Sequence, residues 1–453
     1  MMKKQYGDSS RVVMGVEPLL YEILSRLPAK SLMRFKCVCK QWQSLIHKDG
    51  SFMDLHFKRS KTLCNFSVGG GGISLIMRWP KWHSHKFGVS SVELLLSKRR
   101  VATAQREREV PISGAASSFP FVFGAVNGLI SLVNRSANSV SILNPSTGQS
   151  TSWIQSMIKQ QHQNLYEKIQ VIDEDGHCVS RQIQYVNSNW YYFGYDPLTM
   201  EHKVVLFWIK EIYDRLGVFL RSENICEVMT VDGRQHNKNN LSWRRIDDEF
   251  VLPPTISPSE FTSSVYANGS IYWLRNDRKQ HSVTEPLIVE FNVGSEKFRV
   301  ISIPKYIIKQ IRYPFYYKLI QIDGRLSVLA TATTCITDTP SMKMCVLYDK
   351  KLKDIISSIS SSVAGSTVSN SGDFYWIQET FMMPHSDWGL LEFDTIQAVP
   401  GTDLLIMRSE GHAGSTFYFY DWRKKSFNKE SFFIAETSSF EYFVYKESLL
   451  PVI

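Results

Sequence analysis

Residues 16–60 read VEPLLYEILSRLPAKSLMRFKCVCKQWQSLIHKDGSFMDLHFKRS, and this stretch decides the fold of the N-terminal part of the chain. Its first apolar residues recur at helical spacing, and at about 100° per residue they form one stripe. The stripe contains Leu19, Leu20, Ile23, Leu24 and Leu27. Pro18 suits the first turn of this helix, because a backbone N–H has no partner at that position. Glu22 and Arg26 form an i,i+4 pair on the other side of the helix.

Two more short helices are predicted in the same stretch. Pro28 ends the first helix and can start the second, which carries Leu32, Met33 and Phe35. A third apolar set consists of Val38, Cys39, Trp42, Leu45 and Ile46. A unit of about 45 residues buries too little apolar surface to be secure alone. It therefore either packs on the rest of the chain or offers its apolar face to another protein, and composition leaves both open.

The segment LLYEILSRLPAKSLMRFKCVCKQWQSLI closely resembles the F-box, above all in EILSRLPAKSL and VCKQW. In that family the three helices bind an Skp-type adaptor, which connects the protein to a cullin-based ubiquitin ligase. The resemblance implies nine residues that form or support the adaptor-binding surface: Leu19, Leu20, Ile23, Leu24, Leu27, Pro28, Leu32, Val38 and Trp42. The family usually begins this motif with Leu-Pro and an acidic residue, whereas this chain has Gly15, Val16 and Pro18 there.

The length of the chain limits the number of domains, and its charge distribution bears on a nucleic-acid partner. A chain of 453 residues with 43% hydrophobic content allows two or three domains and a sizeable core. The formal net charge is +9, but residues 1–60 hold 11 Lys/Arg against 5 Asp/Glu, and the remainder holds 41 against 38. The larger part is therefore nearly neutral, and it has no Arg-rich face or basic groove. We expect no nucleic-acid partner.

Cysteine usage and hydropathy indicate where the protein works. The 7 cysteines are odd in number and scattered, so they form no disulfide framework and suit a reducing compartment. The N-terminus has no apolar signal core, and the most apolar run, residues 119–133, is too short and interrupted to span a bilayer. We expect no membrane partner and a location in the cytoplasm, the nucleus or both.

From residue 119 onward, short β-rich runs alternate with turns. Three pairs predict tight hairpins: Asn127-Gly128, Asn268-Gly269 and Asp323-Gly324. A second signature is a strand that ends in a tight turn, and these turns begin near Asn144, Asp196, Asn292, Asp349 and Asp421. Degenerate strand-rich repeats of roughly 50 residues are typical of a β-propeller, here with six or seven blades. The last strand, within FEYFVYKESLL, is expected to close the ring by completing the first blade.

A second resemblance covers residues 119–452. The segments VNGLISL…ILNPSTG, FGYDPLT…KVV, VYANGSIYWL, EFNVGSEKFRVISIP and YFVYKESLLPV resemble the plant F-box-associated domain. That domain follows the F-box directly and forms a kelch-like propeller, so the resemblance implies a plant source and a role in recruiting substrates.

These observations predict a multidomain fold class. A small all-α N-terminal F-box of three helices is followed by an all-β, propeller-like domain. The expected divisions are a disordered N-terminus (1–15), the F-box (16–60), a transition with first strands and a polar loop (61–118) and the F-box-associated domain (119–453). The polar loop is SKRRVATAQREREV, residues 97–110, which we expect to be solvated.

Motifs for bond chemistry are missing from the sequence. No phosphate-binding glycine loop, no G-x-S-x-G elbow and no zincin helix occurs. Cys37 and Cys39 have no second pair at zinc spacing, so packing in the third-helix region is favoured over a metal site. We therefore predict no catalytic, cofactor-binding or metal-binding residues, no cofactor and no enzymatic activity.

The function predicted on these grounds is that of the substrate-recognition subunit of an Skp–cullin–F-box ubiquitin ligase. The F-box binds the Skp-type adaptor, and the propeller recruits a target protein whose identity the sequence does not reveal. Residues 151–189 and the Ser/Gly-rich residues 350–385 are expected to be rim loops that choose the target. Two alternatives stay open: a small-molecule receptor or enzyme in the propeller channel, and an F-box scaffold outside a ligase.

Overall fold

The structure is a computed structural model, and its description covers most of the chain. The described residues are 17–62, 72–81, 86–95, 106–111, 121–135, 137–157, 166–172, 178–214, 219–231, 241–246, 264–275, 287–303, 317–332, 341–349, 367–371, 374–382, 393–399, 402–411, 414–422, 424, 426–431, 441–445 and 448–452. Helices occupy the N-terminal part of these residues, and strands occupy the rest. None of the helices in the described ranges is long and apolar enough to cross a membrane.

The N-terminal unit contains four helices among the described residues. They are α1 (Glu17–Leu24), α2 (Ala29–Phe35), α3 (Lys40–Lys48) and α4 (Gly50–Thr62). Pro28 is the N-cap of α2, with φ −56° and ψ 143°, so it separates the first two helices as predicted. The sequence analysis predicted three helices, and α4 is the addition. Its start is stabilised because the Asp49 carboxylate accepts a hydrogen bond from the backbone N–H of Phe52 at 3.0 Å.

The prediction that both nearby cysteines pack in the third-helix region was wrong. Cys37 and Cys39 are both exposed. Cys39 is the N-cap of α3, where its Sγ accepts from the backbone N–H of Trp42 at 3.5 Å. The apolar stripe therefore begins inside α3 and not at its cap.

The described strands form six antiparallel sheets, which we number as blades 1 to 6. Blade 1 contains β1 (Gly72–Lys81), β2 (Lys86–Leu95), β3 (Arg106–Pro111) and the C-terminal β27 (Glu441–Tyr445). Blade 2 contains β4 (Phe121–Val126), β5 (Leu129–Asn134), β6 (Ser139–Asn144), β7 (Gln149–Ser150) and β8 (Ile154–Gln155). Blade 3 contains β9 (Tyr166–Ile172), β10 (Cys178–Asp196), β11 (Glu201–Asp214), β12 (Phe219–Val231) and β13 (Trp243–Arg245).

The second half of the propeller follows the same plan. Blade 4 contains β14 (Val265–Ala267), β15 (Ser270–Arg275), β16 (Leu287–Asn292) and β17 (Phe298–Ser302). Blade 5 contains β18 (Tyr317–Ile322), β19 (Arg325–Ala332), β20 (Ser341–Asp349), β21 (Thr367–Ser371) and β22 (Phe374–Met382). Blade 6 contains β23 (Phe393–Ala398), β24 (Leu404–Gly411), β25 (Gly414–Asp421) and β26 (Ser426–Ser431).

Contacts between blades close these sheets into a ring. Strand β27 contacts β4, β4 contacts β10, and β10 contacts β14 and β15. Strand β14 contacts β18, β18 contacts β23, and β23 returns to β27. The propeller formed by the described strands therefore has six blades. Strand β27 pairs antiparallel with β1, from Ser74 opposite Tyr445 to Arg78 opposite Glu441. The predicted closure of the first blade by a C-terminal strand is confirmed.

Several segments that we predicted as loops are strands, and the first strands predicted in the transition belong to the propeller. Strands β1 to β3 belong to blade 1, so the propeller extends into the residues assigned to a transition. Strand β3 covers part of the segment predicted as a polar loop, and it pairs with β2. Strands β9 and β10 occupy much of residues 151–189, and β21 and β22 occupy part of residues 350–385. These segments are therefore not simple rim loops.

The predicted hairpin turns are confirmed by the backbone. Asn127 and Gly128 have φ of 52° and 79°, Asn268 and Gly269 have 45° and 84°, and Asp323 and Gly324 have 49° and 79°. Positive φ at both central residues matches the right-handed twist of the flanking strands. Each pair joins the first two strands of its blade, in blades 2, 4 and 5.

The apolar core of the propeller lies between neighbouring blades. One cluster fills the space between blades 2 and 3, and others lie between blades 3 and 4, 4 and 5, and 5 and 6. Trp273 and Trp376 are among the largest fully buried side chains. Burial on both faces of a blade explains why many of these strands read as continuous apolar runs.

Candidate functional site

The apolar stripe of α1 divides into an inward part and an outward part. Taking Leu19 as 0° and about 100° per residue, Ile23 lies near 40°, Leu20 near 100° and Leu24 near 140°. Leu20 and Leu24 pack into the core of the helical unit, together with Leu27 from the turn that follows α1. Leu19 and Ile23 lie at the other edge of the arc and are 61% and 50% exposed. The helical unit therefore buries only part of its first apolar stripe.

The core of the helical unit gathers side chains from all four helices and from the far end of the chain. Its buried members are Leu24, Ala29, Leu32, Ile46, Phe52, Met53 and Leu449. Tyr21 packs edge-on against Phe52, with ring centroids 5.2 Å apart. Phe35 and Trp42 meet in the same manner at 5.5 Å. The alternative that the unit packs on the rest of the chain is thus realised through Leu449.

Ion pairs attach α4 to α1. Arg59 contacts the Glu22 carboxylate, and its Nη1 also donates to the Glu22 carbonyl oxygen at 3.1 Å. Arg26 pairs with the same carboxylate at 2.6 Å, which confirms the predicted i,i+4 pair. These two guanidinium groups, Arg59 first, lower the pKa of Glu22 below its ordinary value. The polar side of α1 is thereby joined to the last helix of the unit.

The structure places the nine predicted adaptor-binding residues in three environments. Leu19, Ile23, Pro28 and Val38 are exposed. Leu20, Leu27 and Trp42 are half-buried and pack against the core. Leu24 and Leu32 are 1% and 0% exposed, so they can support the surface only from beneath. Gly15 and Val16, the departure from the family motif, lie outside the described residues.

Exposed apolar side chains are concentrated in the helical unit. Among the described residues, the large exposed hydrophobics are Leu19, Ile23, Val38, Phe121, Met157, Leu198 and Val300. Three of these seven lie within the 37 residues 17–53, which is a small fraction of the described chain. Exposed large apolar side chains in so short a segment make the helical unit the candidate interaction site of the described chain.

Residues outside the predicted set also shape this surface. Arg59 and Leu449 were not predicted, because their partners lie 37 or more residues away and no local pattern relates them. For Leu449 the only signal was an apolar pair in the closing segment YFVYKESLLPV. In the part of the chain that the structure describes, no group of three or more His, Cys, Asp or Glu side chains is arranged to hold a metal ion.

The described chain thus has two parts, a helical unit with exposed apolar residues and a propeller. Residues 17–53 match the F-box domain, and residues 87–360 match the F-box associated beta propeller domain. The chain belongs to the family of F-box proteins with this propeller domain, and its architecture is that of an F-box substrate receptor.

Relatives from Arabidopsis thaliana carry the same description. F-box protein At1g30790 is 30% identical over 295 residues, which cover 64% of this chain and 62% of the relative. F-box protein At2g23160 is 23% identical over 346 residues, which cover 74% of this chain and 89% of the relative. For two further relatives of this kind the match spans 60% and 62% of their length. Among solved structures, TolB from Acinetobacter baumannii is similar with a TM-score of 0.37 and 9% identity, over 84% of this chain and 69% of that chain.

Proposed function

We propose that this protein is the substrate-recognition subunit of an Skp–cullin–F-box ubiquitin ligase. The F-box binds an Skp-type adaptor, and the propeller recruits a target protein for ubiquitination. The observation that carries the proposal is the exposure of Leu19, Ile23 and Val38 within a segment that matches the F-box domain. Apolar anchors of this size contribute about 1.5–3 kcal/mol each when a partner buries them fully.

The proposed mechanism is effective concentration and involves no bond chemistry by this chain. One module holds the adaptor while the other holds the target, so the target's lysines are kept near the ubiquitin-conjugating enzyme. The protein then needs no cofactor, metal, nucleic acid or membrane. It works wherever the ligase works, in the cytoplasm, the nucleus or both.

The double substitution Leu19→Asp with Ile23→Asp tests the adaptor surface. Both side chains are exposed, so the change leaves the helical core intact while it places two carboxylates in the interface. We expect the dissociation constant for a purified plant Skp-type adaptor to rise at least about 100-fold, measured by calorimetry. Substitution of Leu24 is a poorer test, because its burial means that a charge there disrupts the F-box itself.

Leu198→Asp is the matched control for this experiment. Leu198 is 90% exposed, but it lies in the turn between β10 and β11 of the propeller. The control should bind the adaptor like the wild type. Equal binding by the Leu19/Ile23 variant and the wild type would refute the assignment of this surface.

Purification from plant cells separates the proposal from its alternatives. A ligase subunit brings down a cullin together with the adaptor, and the Leu19/Ile23 variant loses both. Recovery of the adaptor without a cullin would indicate a scaffold outside a ligase. The recruited protein is then the one that accumulates on the wild type when the proteasome is inhibited and that accumulates on the Leu19/Ile23 variant without the inhibitor, because the variant holds its target away from the ligase.

A further inference from the structure

The last described residues, 448–452, lie between the F-box and the propeller, and we call them the C-terminal tail. Ser448 is 0% exposed, Leu449 is 4% exposed and Val452 is 1% exposed. Their environments differ. Leu449 is part of the apolar core of the F-box, whereas Val452 belongs to the cluster between blades 2 and 3. One short segment is therefore buried in both domains.

Polar contacts attach the tail to the end of β6 in blade 2. The side-chain Nδ2 of Asn144 donates to the carbonyl oxygens of Ser448 at 3.0 Å and Leu450 at 2.8 Å. The backbone N–H of Ser448 donates to the Ser146 hydroxyl at 3.1 Å. Asn144 is itself 0% exposed, so these bonds are shielded from water and costly to lose.

The residue type at position 144 distinguishes this contact from an ordinary turn. The Oδ1 of Asn144 accepts from the backbone N–H of Ser146 at 2.9 Å, which is the bond that shapes the turn. Asp196 and Asp421 shape turns in blades 3 and 6 in the same manner, through a carboxylate oxygen. An aspartate therefore suffices for the turn. The amide group of Asn144 adds two donors that the turn does not use, and both go to the tail.

We propose that the C-terminal tail completes the core of the F-box and fixes the F-box to blade 2, so that the two domains keep one relative orientation. The tail supplies an apolar side chain that the small helical unit lacks, and blade 2 holds the tail in place. This inference does not depend on which protein binds the F-box.

Two adjacent leucines provide the first test. Leu449 packs in the F-box core, whereas Leu450 packs partly buried against the cluster of blades 2 and 3. Hydrogen exchange measured by mass spectrometry on the full chain reports on each domain separately. We expect Leu449→Ala to speed exchange of the slowest amides in α1–α4 at least about tenfold, the effect of a cavity in a small core. Leu450→Ala should leave exchange in these helices unchanged.

A second pair of variants tests the contact from the propeller side. Asn144→Asp keeps the acceptor that the turn needs, but it replaces the donor facing two carbonyl oxygens. Asn292→Asp is its control, because Asn292 has the same turn role in blade 4 and its Nδ2 donates to the Ser270 hydroxyl at 3.4 Å and to no carbonyl oxygen among the described residues. We expect Asn144→Asp, and not Asn292→Asp, to speed exchange in α1–α4 at least about tenfold.

The outcomes are decisive because the altered residue and the measured helices are far apart in the sequence. Faster exchange in α1–α4 for both Leu449→Ala and Asn144→Asp supports the proposal. Unchanged exchange in these helices for either variant would overturn it, since the F-box would then fold without the tail. Equal acceleration by the controls would also overturn it, because the effect would be a general loss of stability. None of these readings requires an adaptor, so they are independent of the proposed ligase role.

Discussion

At the scale of single residues, His202 is the clearest case of a titratable group forced into one protonation state. Its ring is buried between blades 2 and 3, with centroids 5.4 Å from Phe193 and 4.7 Å from Tyr195. Burial lowers the pKa of His202 from 6.5 to about 3, although a hydrogen bond with the backbone of Val126 acts in the opposite direction. The folded protein therefore keeps this imidazole neutral in mildly acidic solution.

This pKa difference predicts acid destabilisation. Below about pH 6.5 the unfolded chain binds a proton at His202 and the folded chain does not, so the stabilisation present above that pH is lost as the pH falls toward 3. His202 contributes at most about 1.4 kcal/mol per pH unit to the slope of the free energy of unfolding against pH. Urea unfolding at several pH values between 7.5 and 5 should show a smaller slope for His202→Gln than for the wild type. Identical slopes would mean that His202 does not contribute.

A second residue-scale prediction concerns Gly194 in β10. A Cβ at this position would lie 2.7 Å from the Val293 Cγ2 and 2.9 Å from two atoms of Ile271, both buried side chains. Gly194→Ala should therefore overpack the contact between blades 3 and 4 and cost about 1–3 kcal/mol. Thermal unfolding measures the change. Gly50→Ala is the control, because nothing lies within 4 Å of a Cβ there and the melting temperature should not fall.

At the scale of elements, the connection of α4 to α1 depends more on Arg59 than on Arg26. Arg59 and Arg26 both pair with Glu22, but the Arg59 side chain is 24% exposed and the Arg26 side chain is 68% exposed. Arg59 also donates to the Glu22 carbonyl oxygen, so its loss removes a partly buried bond to the backbone of α1 as well as the ion pair.

Arg59→Gln should therefore loosen α4, while Arg26→Gln changes stability by less than about 0.5 kcal/mol, as is usual for exposed pairs. Hydrogen exchange of the α4 amides and the helical signal of thermal melts measure the difference. Equal effects of the two substitutions would show that only the charge of the pair matters, and not the bond to the backbone.

Some features of these elements were predictable from the sequence and others were not. Turns such as Asn127-Gly128 and the boundary at Pro28 were predictable because each depends on the backbone preference of one or two residues. The end of β10 near Asp196 was predicted, but its first part was missed, because residues 178–189 carry no strict alternation of apolar and polar residues. The sequence did not show which apolar residues of α1 are buried and which are exposed. Their burial depends on packing partners, and one of these, Leu449, lies in a distant part of the chain.

At the scale of the whole molecule, closure of the ring depends on a strand that is remote from its blade in the sequence. Strands β1 to β3 form a sheet that β27 completes, and β27 also contacts β4 and β23 on either side. Without β27 the ring has a gap, and β1 presents an unpaired edge. The resemblance-based boundary at residue 119 missed this blade, because its pairing partner lies more than 300 residues away.

Deletion of residues 439–453 should therefore abolish the cooperative unfolding of the propeller as well as loosening the F-box. Differential scanning calorimetry of the deletion variant should show a broad transition or none. A dye that binds exposed apolar surface should bind this variant at temperatures where the wild type is folded. A deletion of residues 446–453 retains β27 and is the control, which should keep a cooperative propeller transition. A sharp transition at the wild-type temperature for the larger deletion would contradict the role of β27 in closure.

The position of β27 and the C-terminal tail also has a consequence for protein synthesis. A ribosome releases residues 17–62 long before residues 441–452, so neither the F-box core nor the ring is complete while most of the chain is being made. A product of premature termination, or a fragment cut before residue 441, lacks the strand for the ring and the leucine for the F-box. We therefore expect such products to fold neither domain completely, so that quality control of the finished chain depends on its last residues.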